Sequence, residues 1–189
     1  MGIEVIVLNG ASSSGKTSIA RCLQGLLGTP WLLLGIDDLI RAIPDQGIED
    51  GTLLHIGGDG LVEVGPGWRS LEASWYAGIA TIAARGTGVI VDEVFLDGGG
   101  DQERLRSALR GRGVLWVGVT CGRDVGRAGE VRRPHRVAGQ FESQAAVVHE
   151  GVAYDLTVDT SHASSASCAA TILEHTSPTG EIGVVPPGR

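Results

Sequence analysis

The chain lacks long hydrophobic runs. Its longest, Trp31–Ile36 and Val114–Val119, fall far short of the roughly 20 apolar residues a bilayer-spanning helix needs, and no basic signal-like stretch opens the chain. A cytoplasmic protein with no membrane partner is expected. Positive charge is scarce as well: the formal net charge is −7 and the isoelectric point about 5.2. That balance excludes a nucleic acid as the main partner, because such binders present basic faces to phosphates. Lysine is reduced to Lys16 alone. The three cysteines, Cys22, Cys121 and Cys168, have no CxxC spacing, which excludes a disulfide framework and suits reduced thiols packed as small hydrophobes. The five histidines show no metal-ligand spacing, so zinc is not expected.

The 189 residues are 42% hydrophobic and 20% charged, the balance of one soluble domain. Apolar β-branched runs alternate with helical spacings: strand Ile3–Leu8, helix Thr17–Leu27, strand Trp31–Ile36, short helix Leu39–Ile43, then helix Trp68–Arg85 with its apolar stripe at Leu71, Trp75, Ile79 and Ile82. Strand Val89–Val91, helix Asp101–Leu109, strand Val114–Thr120, helix Val137–Val148, strand Asp155–Val158 and helix Ala163–Glu174, capped by Ser161 or Thr160, follow. This is an α/β pattern: a five-stranded, mostly parallel sheet with helices on both faces and ligands at the carboxyl ends of the strands. A single domain over residues 1–175 is expected. Within it, 45–66 reads as a β-hairpin insertion standing off the core on the substrate side, and 123–137 as a mobile or ligand-ordered, arginine-rich lid. A disordered tail is expected over 176–189.

The strongest chemical signal is Gly10-Ala11-Ser12-Ser13-Ser14-Gly15-Lys16-Thr17, a full GxxxxGK[ST] match between a strand and a helix. A chain of this composition would hold about 0.003 such matches by chance. The pattern makes backbone N–H groups and a helix N-terminus converge on a phosphate, with Lys16 as the cation for the β- and γ-phosphates and Thr17 as a magnesium ligand. Asp92, after Val89-Ile90-Val91, suits a Walker B carboxylate on magnesium, with Glu93 as a rival and a turn-forming Asp as the alternative. Asp37 closes the second apolar run, where it is either the base for a substrate hydroxyl or, like Asp38, a helix N-cap. Arg127, Arg132, Arg133 and Arg136 are candidates for charge neutralisation on a transferring phosphoryl group, with solvated surface arginines as the alternative. Trp31, Trp68, Trp75 and Trp116 read as core, with Trp68 and Trp75 able to wall a pocket.

Taken together, LNGASSSGKTSIARCLQ, PWLLLGIDDLI, VIVDEVFLDGG, VLWVGVTC, RVAG and VVHEGVAYDLTVDTSH resemble the chloramphenicol phosphotransferases of antibiotic-producing bacteria, from about Ile6 to His162. The resemblance implies the fold of small nucleotide and shikimate kinases, ATP and Mg2+ as cofactors, and transfer of the γ-phosphate to a hydroxyl of an antibiotic. It makes Gly10–Thr17 the ATP loop, Asp37 the catalytic base, and Arg133 and Arg136 lid arginines. One departure stands out: Gly129 replaces the family's arginine before Glu130, with Arg127 as a substitute candidate. The expected partner is a hydroxylated small molecule such as chloramphenicol or a related natural product, and a homo-oligomer is left open. A housekeeping-metabolite kinase and a nucleotide-dependent regulatory protein are the alternatives.

Overall fold

The computed structural model describes residues 2–57, 61–131 and 140–176, the side chain of Ile56 excepted. The first half runs β1 (Val5–Asn9), α1 (Lys16–Leu26), β2 (Trp31–Gly35), α2 (Ile36–Ala42), α3 (Gln46–Glu49), β3 (Leu54–Ile56), β4 (Val62–Val64) and α4 (Trp68–Ala84). The second half runs β5 (Gly88–Glu93), α5 (Gly99–Ala108), β6 (Val114–Thr120), α6 (Arg123–Val131), α7 (Gln140–Val147), β7 (Leu156–Asp159) and α8 (Ser165–Glu174). Five strands form one parallel sheet in the order β2-β5-β1-β6-β7.

The sheet is buried on both faces, so its strands are apolar at successive positions. Side chains alternate between the two faces. Ile6, Leu8, Ile90, Leu115, Val117 and Val119 pack against α1 and α8 through Ile19, Leu23, Ala169 and Ile172. Val5, Val7, Val89, Val91 and Trp116 pack against α4 and α5 through Tyr76, Ile79, Ala83 and Leu105. All five strands run the same way, so their carboxyl ends share one edge. Asn9 braces that edge. Its Oδ1 accepts from Phe95 N at 2.9 Å, and its Nδ2 donates to Val148 O and to the Tyr154 hydroxyl, each at 2.6 Å.

Several local expectations are corrected. The hairpin β3–β4 forms as an antiparallel pair, but it does not stand off the core: Leu54 is buried in a cluster with Leu39, Ile43 and Trp68. The preceding segment holds the short helix α3. The buried stripe of α4 is Trp68, Glu72, Tyr76, Ile79 and Ala83, one residue away from the expected Leu71 and Trp75, because the sheet meets the helix on that face. Residues 123–131, read only as a polar segment, form the helix α6, with Phe141 of α7 packed on Gly126. The cap of α8 is Ser164, whose hydroxyl accepts from Ser167 N at 3.1 Å; Thr160 and Ser161 are engaged elsewhere. The expected tail, from residue 177 on, and Arg132, Arg133 and Arg136 lie outside the described residues.

Ile6 is fully buried on the central strand. Ile6→Ala is expected to cost about 2–5 kcal/mol, mainly through the cavity it leaves. Thermal unfolding should register this as a fall in Tm of about 4–20 °C.

Candidate functional site

At the carboxyl edge of the sheet the chain leaves β1, turns through Gly10–Thr17 and enters α1. The turn requires positive φ at Ser13 (63°) and Gly15 (93°), a conformation glycine adopts without steric cost. Neighbours hold the loop in place. Thr160 Oγ1 donates to Ser14 O at 2.9 Å, and Gln144 Oε1 accepts from Ser12 N at 2.7 Å. Lys16 is 5% exposed; its ammonium donates to Gly10 O at 2.8 Å and Ala11 O at 2.9 Å and lies 3.7 Å from Asp92 Oδ1. The buried hydroxyl oxygens of Ser12, Ser13 and Ser14 have no hydrogen-bond partner among the described residues. Buried polar atoms are normally satisfied, so three orphaned hydroxyls beside a buried cation fit an anionic ligand held in the loop.

Thr17 Oγ1 donates to Asp92 Oδ2 at 2.6 Å. This pairs a hydroxyl and a carboxylate oxygen, donors that a hard cation such as magnesium takes together with phosphate oxygens. Among the described residues no group of three or more His, Cys, Asp or Glu is arranged to hold a metal by itself.

Asp37 does not cap this helix. The helix begins at Ile36, so Asp37 lies in the first turn of α2 and not at the end of the strand. The capping interaction belongs to Asp38, whose Oδ2 accepts from Gly35 N at 2.7 Å. Asp37 instead borders two spaces. One is a cleft of about 140 Å3 lined by Ser13, Lys16, Thr17, Arg41 and Asp92. The other is a cavity of about 390 Å3 between the hairpin, α4 and α5. Ile36, Asp37 and Val94 line both.

The larger cavity has two unlike walls. Ile40, Leu54, Val62 and Trp68 make one apolar; Glu72, Glu93, Asp101 and Tyr76 make the other polar. Arg69 Nη1 lies 2.9 Å from Glu72 Oε2 and 3.2 Å from Asp101 Oδ1, and Arg104 also pairs with both acids. Glu93 is 1% exposed. Its Oε2 accepts from Val94 N at 3.3 Å and its Oε1 has no partner among the described residues. Burial, reinforced by the charge of Asp101, pushes its carboxyl well above the usual range. Burial, with Glu93 next in weight, likewise pushes the Tyr76 phenol up.

The expected loop residues, Thr17, Asp92 and Asp37 therefore converge, and Trp68 reaches the cavity wall while Trp75 packs behind it. Glu93 is separated from Thr17 and Asp92 and belongs to the other space. Arg127 is held by Glu142, with Nη2 2.6 Å from Oε1. Gly129 faces Ser13 so closely that a Cβ would stand 3.0 Å from the serine Cβ. The sequence reading missed Arg69, Glu72, Asp101, Arg104 and Gln144. Glu72 and Arg69 lie one turn apart, as do Asp101 and Arg104, a spacing equally common on solvated helix faces.

A family model described as "Chloramphenicol phosphotransferase-like protein" matches residues 3–177. The chain belongs to this family. A Mycobacterium tuberculosis protein named "Putative O-phosphotransferase" is 33% identical over 175 residues, covering 83% of this chain and 75% of that protein. Among solved structures, a sugar kinase from Janibacter superposes with a TM-score of 0.65 at 17% identity, covering 91% of this chain and 93% of that one. Shikimate kinase from Acinetobacter baumannii gives 0.54 at 16% identity and 92% of both chains. This chloramphenicol phosphotransferase-like protein thus has the P-loop kinase fold and is a phosphotransferase.

Gln144→Leu removes the acceptor for a buried loop N–H, at a cost of about 1–3 kcal/mol. Calorimetry should show Tm lowered by about 2–12 °C.

Proposed function

We propose that this protein moves the γ-phosphate of ATP to a hydroxyl of a small molecule, an antibiotic such as chloramphenicol or a related natural product, in the cytoplasm. The observation that carries the reading is the position of Asp37 on the shared rim of the phosphate cleft and the larger cavity. A carboxylate there is poised to accept a proton from a hydroxyl presented by the cavity while that oxygen faces the cleft.

In this reading the triphosphate lies in the Gly10–Thr17 loop, bound by backbone N–H groups and by the hydroxyls of Ser12, Ser13 and Ser14. Lys16 leaves the carbonyls of Gly10 and Ala11 for the β- and γ-phosphates. Thr17 and Asp92 hold magnesium, which supplies charge neutralisation to the phosphates when bound. The acceptor oxygen forms a bond to the γ-phosphorus as the bond from that phosphorus to the β,γ-bridging oxygen breaks. The hydroxyl proton passes to Asp37, and ADP departs with the bridging oxygen. By resemblance, Arg133 and Arg136 are the arginines that neutralise charge on the transferring phosphoryl group.

The acceptor side supports a small, partly apolar alcohol. A cavity of about 390 Å3 is the size of an ordinary small-molecule site, and its apolar wall suits a molecule with a hydrophobic body.

Incubating the purified protein with magnesium-ATP and a panel of hydroxylated antibiotics headed by chloramphenicol, with mass detection, tests the proposal. One panel member should gain a single phosphate. Acceptor-independent hydrolysis with no modified compound would overturn it in favour of a regulatory nucleotide switch. Asp37→Asn is expected to lower kcat about 10²–10⁴-fold with ATP affinity within a few-fold of wild type; equal loss of both would remove Asp37 from the base role. Lys16→Ala should weaken ATP binding and turnover together, as isothermal titration and steady-state rates would show.

A further inference from the structure

The cavity contains a polar group that the phosphoryl-transfer machinery does not use. Glu93 follows Asp92 on β5, but successive residues of a strand face opposite sides. Asp92 bonds Thr17 and lies 3.7 Å from Lys16, whereas Glu93 lines the larger cavity and is absent from the phosphate cleft. It is 1% exposed, and Oε1 is buried with no hydrogen-bond partner among the described residues. The other two buried acids of that wall are engaged: Glu72 accepts from Arg69 and Trp68, and Asp101 from Arg69, Arg104 and Asp97 N.

An unsatisfied buried polar atom costs roughly 1–3 kcal/mol. Apolar replacements of the same size are available at such a position. A group of this kind fits the free protein poorly and suits a partner that arrives later.

We propose that Glu93 is a specificity-determining residue of the acceptor site: its Oε1 hydrogen-bonds a second polar group, a hydroxyl or amide, at the buried end of the acceptor, while the hydroxyl to be phosphorylated lies at the Asp37 rim. The substrate class is thereby narrowed. The acceptor carries at least two hydrogen-bonding groups separated by an apolar body that lies against Ile40, Leu54 and Trp68. A simple monohydric alcohol would leave Oε1 unpaired and be selected against, since a site built to hydrogen-bond a group strongly rejects analogues lacking it. This inference rests on the proposed phosphotransfer for its kinetics but not for its stability arm.

Two variants test it. Glu93→Gln keeps the shape and a hydrogen-bonding atom at the Oε1 position; Glu93→Met keeps the bulk and removes it. With whichever panel compound is phosphorylated, and with chloramphenicol as the binding probe in titration calorimetry, Glu93→Met should raise the acceptor KM or Kd at least ten-fold. ATP affinity should stay within two-fold, and Glu93→Gln should stay within about five-fold of wild type for the acceptor. Without any ligand, Glu93→Met should unfold within about 4 °C of wild type, because removal of the orphaned Oε1 offsets loss of the long bond from Val94 N to Oε2. An unchanged acceptor KM in Glu93→Met overturns the assignment, as does a Tm lowered by more than about 4 °C in that variant, which would mark Glu93 as a structural group. If the wild-type protein phosphorylates nothing, the phosphotransfer reading fails; the ligand-free Tm comparison then still decides whether Glu93 is structural.

Discussion

The architecture of the site depends on the two-residue alternation of β5. Its inner residues are sorted between the two faces of the sheet: Ile90 packs toward α1 and α8, Val89 and Val91 toward α4 and α5. The same alternation carries through the last two positions of the strand. Asp92 emerges on the side of α1, where Lys16 and Thr17 begin the helix, and Glu93 on the side of α4 and α5, facing the cavity. Two adjacent carboxyl groups thus enter different environments. One is partly accessible beside a lysine and a hydroxyl; the other is stripped of water and held well above its usual range by burial. A one-residue slip of β5 would exchange them.

The Gly10–Thr17 loop is fixed by bonds from the elements beside it. Thr160 after β7 and Gln144 on α7 bond the loop backbone directly. Asn9, at its entrance, ties β1 to the segment after β5 and to the turn before β7. Pre-organisation of this kind leaves little ordering entropy to be lost on binding. Gln144 also lines the larger cavity, so one side chain touches both the Gly10–Thr17 loop and that cavity. Gly129 of α6 lies against Ser13, and an arginine at 129 would have to displace that contact. The departure of this chain from the family pattern therefore has a steric counterpart in the loop itself.

Much of this was legible in the sequence, because the informative residues are those whose neighbours along the chain define their surroundings. GxxxxGK[ST] between a strand and a helix singles out Lys16 and Thr17, and the carboxylates after Val89-Ile90-Val91 single out Asp92 with Glu93 as its rival. The order of strands and helices gave the parallel sheet. Asp37 could not be separated from Asp38 by spacing alone, since either could cap a helix; the bond from Gly35 N assigns the capping contact to Asp38. The polar wall was illegible for a different reason. Glu72 and Asp101 sit on helices that are far apart in sequence and are brought together by packing, and their charges read locally as a solvated face. The buried stripe of α4 includes Glu72 where the periodicity suggested Leu71, a rotation set by contact with the sheet.

The same polar wall explains how a cavity with so many carboxyl groups can adjoin a site for a polyanion. Uncompensated charges there would repel a triphosphate appreciably, since at low effective dielectric even a separated pair interacts strongly. Arg69 and Arg104 each reach both Glu72 and Asp101, so the two buried acids are matched by two guanidinium groups, and burial pushes the Glu93 carboxyl upward. Asp38, outside the cavity, is engaged by Gly35 N and Arg41. Of the carboxyl groups that line the cavity, Asp37 is the one that also borders the phosphate cleft. The arrangement thus offsets the two buried acids that stand behind the junction of cavity and cleft, where Asp37 lies.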